Sequence, residues 1–323
     1  MNCNCGSSSG SDKSGTKDEI RWAHLPSLVI TKIFTMLDKH DRKNASEVCK
    51  NWRREYFQPR FWPTVTFFIE NNNLEKSRFL TNIFGSNVKH VKIIMDSFSK
   101  ACIEELFDLM QKLAWNNKLK TLSINPTHCD LETFKNQVKI RWESVDWKEV
   151  MTQFEICLPR LTEFSIGCLG ILPLQVDWIL EKLNPKSLKI LRLASFSRNP
   201  PLFNDYYFNP ILLRSFVKLE VLSIDYDQLC DEVLETLNNA INFKILVVHL
   251  HGFHTNHEGT TERAWGTFKK NHPGIILNLI LVHALKQVNI LPKKVLRKQM
   301  PLKYLQIYSC DKQEQKCDCR IMV

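Results

Sequence analysis

The densest group of side chains that could bind a metal is the stretch HLHGFHTNH, which carries His249, His251, His254 and His257. Four imidazoles can hold a zinc ion. The first two, however, follow a predicted strand and the others fall in a predicted loop, and the stretch contains no Cys or carboxylate at ligand spacing. This pattern favours solvated loop histidines over a zinc centre.

The cysteines also show no spacing typical of a metal site or of a catalytic nucleophile. The pairs Cys3-x-Cys5 and Cys317-x-Cys319 have one intervening residue, a poor spacing for structural zinc. Cys49 falls on an apolar helix face with no nearby His, which favours packing over a nucleophilic role. The chain has no G-x-S-x-G, P-loop or H-E-x-x-H motif. We therefore expect no catalytic residue, no metal, no cofactor and no enzymatic activity.

The composition restricts the partners and the compartment. The 323 residues contain no apolar run of about 18 uncharged residues, and the N-terminus lacks the apolar region of a signal peptide. We expect no membrane association, a cytoplasmic or nuclear location, and eleven cysteines that are mostly thiols. The net charge is +10, but the excess of Lys and Arg lies at the two ends of the chain, which argues against a nucleic-acid groove.

One short basic run has the composition of a localisation signal or a phosphate-binding segment. The run PKKVLRK, Pro292 to Lys298, could be a nuclear import signal or a phosphate contact. A solvated helix face between two strands is the commoner reason for such a run, and it is the interpretation favoured here.

The elements that would position a binding surface recur along the chain after residue 87. The pattern apolar-x-x-apolar-x-apolar begins at Val88, Leu119, Leu161, Leu188, Leu219, Phe243 and Leu302, and less cleanly near Ile276. The intervening stretches, such as CIEELFDLMQKLAW and CDEVLETLNNAI, have helical spacing, and Asp231 is placed to cap the second of them.

Strand and helix alternating at this period predict a leucine-rich-repeat solenoid, an α/β repeat fold. A Rossmann-like domain is the alternative, but it needs a glycine-rich turn after a strand, and no G-x-G-x-x-G occurs. We expect a disordered tail over 1–19, a helical unit over 20–65, the solenoid over 66–310 and a C-terminal tail over 311–323.

The helical unit carries more apolar residues than it can bury. Pro26 suits the start of a helix, and Val29, Ile33 and Leu37 follow at helical spacing. Asp41 is a plausible cap for the next helix, which carries Ala45, Val48, Cys49 and Trp52 on one face. About 45 residues cannot enclose this much apolar surface. The surplus favours a partner surface, and a helical hairpin docked on the main domain remains the alternative.

These residues resemble an F-box. The resemblance is carried by Leu25-Pro26, Ile33-Phe34, Leu37, Asp41, Ala45, Val48-Cys49, Trp52 and Pro59-x-Phe61-Trp62, although Lys43 stands where many F-boxes have an apolar residue. It implies a three-helix unit that binds the Skp-type adaptor of cullin-RING ubiquitin ligases. The implied adaptor-binding residues are Leu25, Pro26, Leu28, Val29, Ile33, Val48, Cys49 and Trp52.

The repeats extend this resemblance along the chain. An F-box before irregular repeats, the stretch LEVLSIDYDQLCDEVLETL and the W-x-x-F at Trp265 are similar to the F-box only protein 39 group and to related F-box/leucine-rich-repeat receptors. In such receptors the repeats hold the target protein.

A target would contact the concave side of the solenoid. Side chains alternate along a strand, so the third, fifth and seventh positions of each pattern face that side. They include Thr121, Ser123, Glu163, Ser165, Ser223, Val247 and Gln306, and the candidates for target binding are His90, Lys92, Arg192, Asp225, His249, Tyr304 and Tyr308.

Two functions from different classes follow. The first is a substrate-recognition subunit of an SCF-type ubiquitin ligase, with a Skp-type adaptor, cullin, RING protein and an unknown target as partners. The second is a leucine-rich-repeat scaffold outside any ligase, whose F-box-like helices cap the solenoid.

Overall fold

The computed structural model describes residues 22–96, 99–126, 147–166, 176–194, 208–250, 257, 259–282 and 295–308. It divides the chain between Phe61 and Trp62 into two units. The first unit holds short helices, and the second holds a parallel sheet with its connecting helices.

From residue 22 on, the first unit contains three helices: α1 (Ser27–Met36), α2 (Lys39–Ser46) and α3 (Lys50–Tyr56), with 3-10 turns at Trp22–His24 and Pro59–Phe61. Helix α1 begins directly after Pro26, whose missing N–H removes no helical hydrogen bond there. Helix α2 is capped by Asp38, whose carboxylate accepts from the backbone N of Asp41 at 2.8 Å. The prediction that Asp41 is the cap was wrong, because this residue supplies the N–H that the cap satisfies.

The described residues of the second unit include nine strands: β1 (Thr64–Ile69), β2 (His90–Met95), β3 (Thr121–Pro126), β4 (Glu163–Ile166), β5 (Ile190–Arg192), β6 (Val221–Asp225), β7 (Ile245–Leu250), β8 (Ile276–Val282) and β9 (Leu302–Tyr308). They form one sheet in sequence order, and every neighbouring pair is parallel. Strand β1 precedes the first predicted repeat, and the other eight coincide with the patterns in the sequence.

The described helices of the second unit are α4 (Leu74–Phe84), α5 (Lys100–Ala114), α6 (Trp147–Cys157), α7 (Val176–Lys182), α8 (Asp231–Leu237) and α9 (Glu262–Asn271). Three 3-10 turns join them, at Leu158–Arg160, Pro210–Ser215 and Tyr226–Gln228. Parallel neighbours require crossover connections, and these helices and turns lie in the connections from β1 through to β8.

The core of the second unit is built from in-register rows of apolar side chains. One such row runs through Phe67, Ile93 and Ile124 to Ile166, and another through Val65, Val91 and Leu122 to Phe164. All of these side chains are buried, whereas the residues between them along each strand are half-buried or exposed. The second set forms the other face of the sheet, called here the open face. An α/β repeat with this period of burial confirms the predicted solenoid fold.

Hydrogen bonds between successive repeats fix the starts of several helices. Ser99 caps α5 and donates through its hydroxyl to Asn71 Oδ1 at 2.6 Å. Thr261 caps α9 and donates from its N and Oγ1 to the Asp231 carboxylate at 2.8 and 2.7 Å. The sequence predicted that Asp231 caps its own helix, and this prediction was wrong. The carboxylate of Asp231 instead accepts both hydrogen bonds from Thr261 in the next repeat.

Candidate functional site

The F-box-like helices enclose a small aromatic core. Ile30, Phe34 and Trp52 are buried, and half-buried side chains pack around them. The rings of Phe34 and Trp52 meet edge to face with centroids 5.6 Å apart, and Trp52 Nε1 donates to the Trp22 carbonyl at 2.8 Å. This core joins α1 to α3 and to the turn before α1.

A buried carboxylate sets the angle between the same two helices. Glu55 of α3 is buried and accepts from the hydroxyl of Ser27, the first residue of α1, at 2.6 Å. The Gln58 amide and the Arg54 guanidinium also contact this carboxylate. A buried charge is tolerated when its lone pairs are occupied in this way.

A second set of apolar side chains points away from this core. Leu28 is 81% exposed and Val48 is 64% exposed, and Val29 and Met36 are also exposed. Leu28, Val29 and Met36 fall within about 100° of the circumference of α1, on a different side from Ile30 and Phe34. The unit thus leaves apolar surface in water after its own core is complete, as expected of a protein-binding surface.

The structure divides the eight predicted adaptor-binding residues into two groups. Pro26, Leu28, Val29 and Val48 are exposed. Leu25, Ile33 and Cys49 are half-buried against the aromatic core, and Trp52 lies within it at 8% exposure. The second group therefore holds the helices together, and any contact with an adaptor falls mainly to the first.

The open face presents a row of side chains at one level of the sheet. Strand register places one residue from each of the nine strands in this row, called here the central row: Thr66, Lys92, Ser123, Ser165, Arg192, Ser223, Val247, Asn278 and Tyr304. The predicted target-binding residues Lys92, Arg192 and Tyr304 are members of it. His90 lies one level before it on β2, and Asp225 lies one level after it on β6.

Two other candidates differ in their placement. His249 is only 3% exposed, so it does not lie on the accessible face as expected. Strand β7, which carries His249, contacts the 3-10 turn Tyr226–Gln228. Tyr308 ends β9, and its side chain lies outside the described residues.

Arg192 has the most distinctive environment on the open face. Its side chain is half-buried, and burial lowers the pKa of its guanidinium, while the charge of nearby Glu163 opposes that shift. No salt bridge or side-chain hydrogen bond joins Arg192 to the described part of the chain. Glu163 and Asp225 are the carboxylates of the open face in strands β2–β6.

The stretches considered as possible metal ligands are described only in part. His251 and His254 lie outside them, and His257 stacks edge to face on Tyr226 with ring centroids 4.9 Å apart. Where the structure describes the chain, no group of three His, Cys, Asp or Glu side chains could hold a metal. The described cysteines, including Cys49, are free thiols, and the Cys-x-Cys pairs lie outside the described residues.

The basic run is described only in part. Pro292 to Lys294 lie outside the described residues, and Arg297 donates through Nε to the Thr260 carbonyl at 2.9 Å. At least this cation of the run has a structural partner. None of the helices in the described ranges is both long and apolar enough to cross a bilayer.

Known proteins resemble this chain both in the F-box-like helices and along the repeats. Residues 22–67 match the model of the F-box-like domain. Over 271 residues the chain is 22% identical to mouse F-box/LRR-repeat protein 21, an alignment that covers 79% of this chain and 58% of that protein. Over 73 residues it is 34% identical to human F-box only protein 33, which covers 22% of this chain and 13% of that protein. The chain thus spans less than two thirds of the length of either relative.

A solved structure is also similar. The crystal structure of the Rad7 and Elc1 complex in yeast aligns with 86% of this chain and 80% of that chain, at 12% identity and a TM-score of 0.38. The domain match and the similarity to the mouse protein confirm the resemblance to F-box proteins with leucine-rich repeats. An F-box-like domain precedes the parallel-strand repeats in this chain.

Proposed function

We propose that this chain is the substrate-recognition subunit of an SCF-type ubiquitin ligase. The F-box-like helices bind a Skp-type adaptor, which connects the chain to cullin and RING subunits, and the open face of the repeats binds a target protein. The chain itself performs no covalent chemistry. It raises the effective concentration of the target near the conjugating enzyme, and it acts in the cytoplasm or the nucleus.

The exposed apolar side chains of the F-box-like helices carry this proposal. The core of Ile30, Phe34 and Trp52 is complete without Leu28, Val29, Met36 and Val48. Side chains left in water beside a finished core contribute nothing to folding, whereas they gain about 1.5–3 kcal/mol each when a partner covers them fully. A helical adaptor surface is the partner that the F-box resemblance implies.

The test is capture of a Skp-type adaptor by the full chain, compared with the variant Leu28→Ser/Val48→Ser. Burial of both side chains corresponds to about 3–5 kcal/mol, so the affinity should fall more than about 100-fold. Leu25 is unsuitable for this test, because it packs against the core and its truncation would also destabilise the helices. The matched control is Ile241→Ser, which removes a strongly exposed apolar side chain from the second unit.

The result separates the ligase subunit from the scaffold. Tight one-to-one capture that the double variant loses and Ile241→Ser retains supports the adaptor interface. A folded chain that captures no adaptor, or a double variant that binds within threefold of the parent, contradicts it. Mass spectrometry of the other proteins retained would then provide candidate targets in the first case and scaffold partners in the second.

A further inference from the structure

The central row changes character along the sheet. From β2 to β6 its members are Lys92, Ser123, Ser165, Arg192 and Ser223. All five side chains can donate hydrogen bonds, and none is a carboxylate. From β7 to β9 the row continues as Val247, Asn278 and Tyr304, which carry no charge.

The shape of this stretch follows from residue size. The serine side chains are short, so Ser123 and Ser165 form the floor of a shallow groove on the open face. The longer side chains of Lys92 and Arg192 lie on either side of this groove. The two cations are three strands apart, or about 14 Å at the usual strand separation. In an extended peptide, residues i and i+4 lie on the same side and are separated by about 13–14 Å.

The charge of Arg192 is poorly compensated within the described structure. Some other cations of the second unit have direct partners: Lys189 and Lys244 contact Glu220 at 2.9 and 2.7 Å, and Arg160 donates to backbone carbonyls. Arg192, although half-buried, lies within 4.0 Å of no described carboxylate. The charge of Glu163, one level before the central row on β4, acts on this guanidinium without a direct contact.

We propose that the central row from β2 to β5 binds an extended acidic segment of a partner protein, with carboxylates on Arg192 and Lys92; Ser223 on β6 is buried and lies outside this site. A planar guanidinium can bind a carboxylate through two parallel hydrogen bonds, and a half-buried one does so with less competition from water. The serine hydroxyls complete the donor set between the two cations. The inference rests on the proposed function, because it assigns a chemical class to the target of the same face.

The test is fluorescence anisotropy of the full chain with labelled decapeptides. The first probe carries two Glu residues four positions apart in a Gly-Ser background. The second has Gln at both positions, and the third has phosphoserine there. We expect the Glu probe to bind at least about tenfold more tightly than the Gln probe at 0.1 M salt, where contacts between separated surface charges are largely screened.

Two substitutions locate the site. Arg192→Gln should weaken the Glu probe by about tenfold, as expected for the loss of a charge-assisted pair, and Lys92→Gln should weaken it by a smaller factor. The matched controls Arg214→Gln and Lys218→Gln remove the same charges from exposed positions outside the row and should change the affinity less than twofold. Because Lys92 is not needed for the core, its variant keeps the test valid even if Arg192→Gln is unstable.

Three results would overturn the inference: equal binding of the Glu and Gln probes, equal losses in the row variants and their controls, or binding of the phosphoserine probe without the Glu probe. The last result would reassign the row to phosphoryl groups. Adaptor capture measured with Arg192→Gln tests the ligase role separately from peptide binding, because Arg192 lies in the repeats and not in the F-box-like helices. A chain that captures the adaptor but ignores the Glu probe refutes only this inference, and one that binds the probe without an adaptor refutes only the ligase role.

Discussion

Replacement of Trp52 by Ala distinguishes a packing residue from a binding residue in the F-box-like unit. The F-box resemblance assigns Trp52 to the adaptor interface, whereas the structure places its ring in the core against Phe34. The indole also donates the hydrogen bond that ties the Trp22 carbonyl to α3. The substitution therefore removes a large buried side chain and leaves that carbonyl without its donor.

The expected cost is comparable with the stability of the whole unit. Truncation of a buried Trp to Ala costs about 3–5 kcal/mol. A unit of about 40 residues has a free energy of unfolding of about 2–6 kcal/mol, at about 0.05–0.15 kcal/mol per residue. Trp52→Ala should therefore leave the three helices largely unfolded at 25 °C, and adaptor binding would be lost as a consequence of unfolding.

Hydrogen exchange followed by mass spectrometry measures this within the full chain. Amides of α1, including those of Ile30 and Phe34, should lose about two orders of magnitude or more of protection, at 1.4 kcal/mol per factor of ten. The control is Trp115→Ala, which removes a Trp that is 79% exposed in the second unit and should leave α1 unchanged. Protection of α1 within threefold of the parent would refute the assignment of Trp52 to the core.

Three further predictions concern the repeats. Arg160→Met removes the donors to the carbonyls of Ala114, Asn116 and Ile156 and should lower the free energy of unfolding by about 3 kcal/mol in urea, against about 0.5 for exposed Arg214→Met. Burial raises the pKa of Glu105 above its ordinary 4.5. The protonated side chain therefore contributes to the free energy of unfolding at low pH, and this contribution is lost as the pH rises. The Tm of Glu105→Gln minus the Tm of the parent should therefore increase as the pH rises above about 4.5. Burial raises the pKa of Cys157 to about 11, so iodoacetamide at pH 8 should alkylate it far more slowly than the half-buried Cys230.

The strands of the solenoid were predictable because the buried positions repeat with a fixed spacing. In each repeat the first apolar residue precedes or begins the strand, and the fourth and sixth are buried, as Leu119, Leu122 and Ile124 show; the last strand is the exception, because Leu305 and Ile307 are exposed. Strand β1 was missed although Trp62, Val65 and Phe67 fit the pattern, because Trp62 also ends the F-box-like motif Pro59-x-Phe61-Trp62 and was assigned to the helical unit.

The helix caps were less predictable. Both Asp38 and Asp41 are acceptable cap residues by type, and only the chain path shows that Asp38 accepts from the N–H of Asp41. Asp231 has the sequence of a cap but serves the following helix through Thr261. Asn71 and Ser99 form the same kind of link between two earlier repeats. Such a link joins residues about 30 positions apart, so the local pattern that identifies a cap does not contain it.

Exposure within the F-box motif was not predictable from the motif either. Leu25 and Leu28 are three residues apart and chemically identical, but Leu25 packs against the core and Leu28 lies in water. A sequence motif records which residue types are required, and it does not separate those required for folding from those required for binding. The helix geometry makes that separation, which is why Leu28 and Val48 are better probes of adaptor binding than Leu25 or Trp52.

The central row shows how the repeat fold separates stability from recognition. Its members come from nine different strands, and they form a row only because the strand register aligns them. That register is held by the buried residues on the opposite face, such as Leu191 and Leu222, where a shift of one position would expose the core. Substitutions in the row therefore change its charge without changing the register. It follows that a change in target binding by a folded variant of Arg192 or Lys92 can be assigned to the charge that was removed.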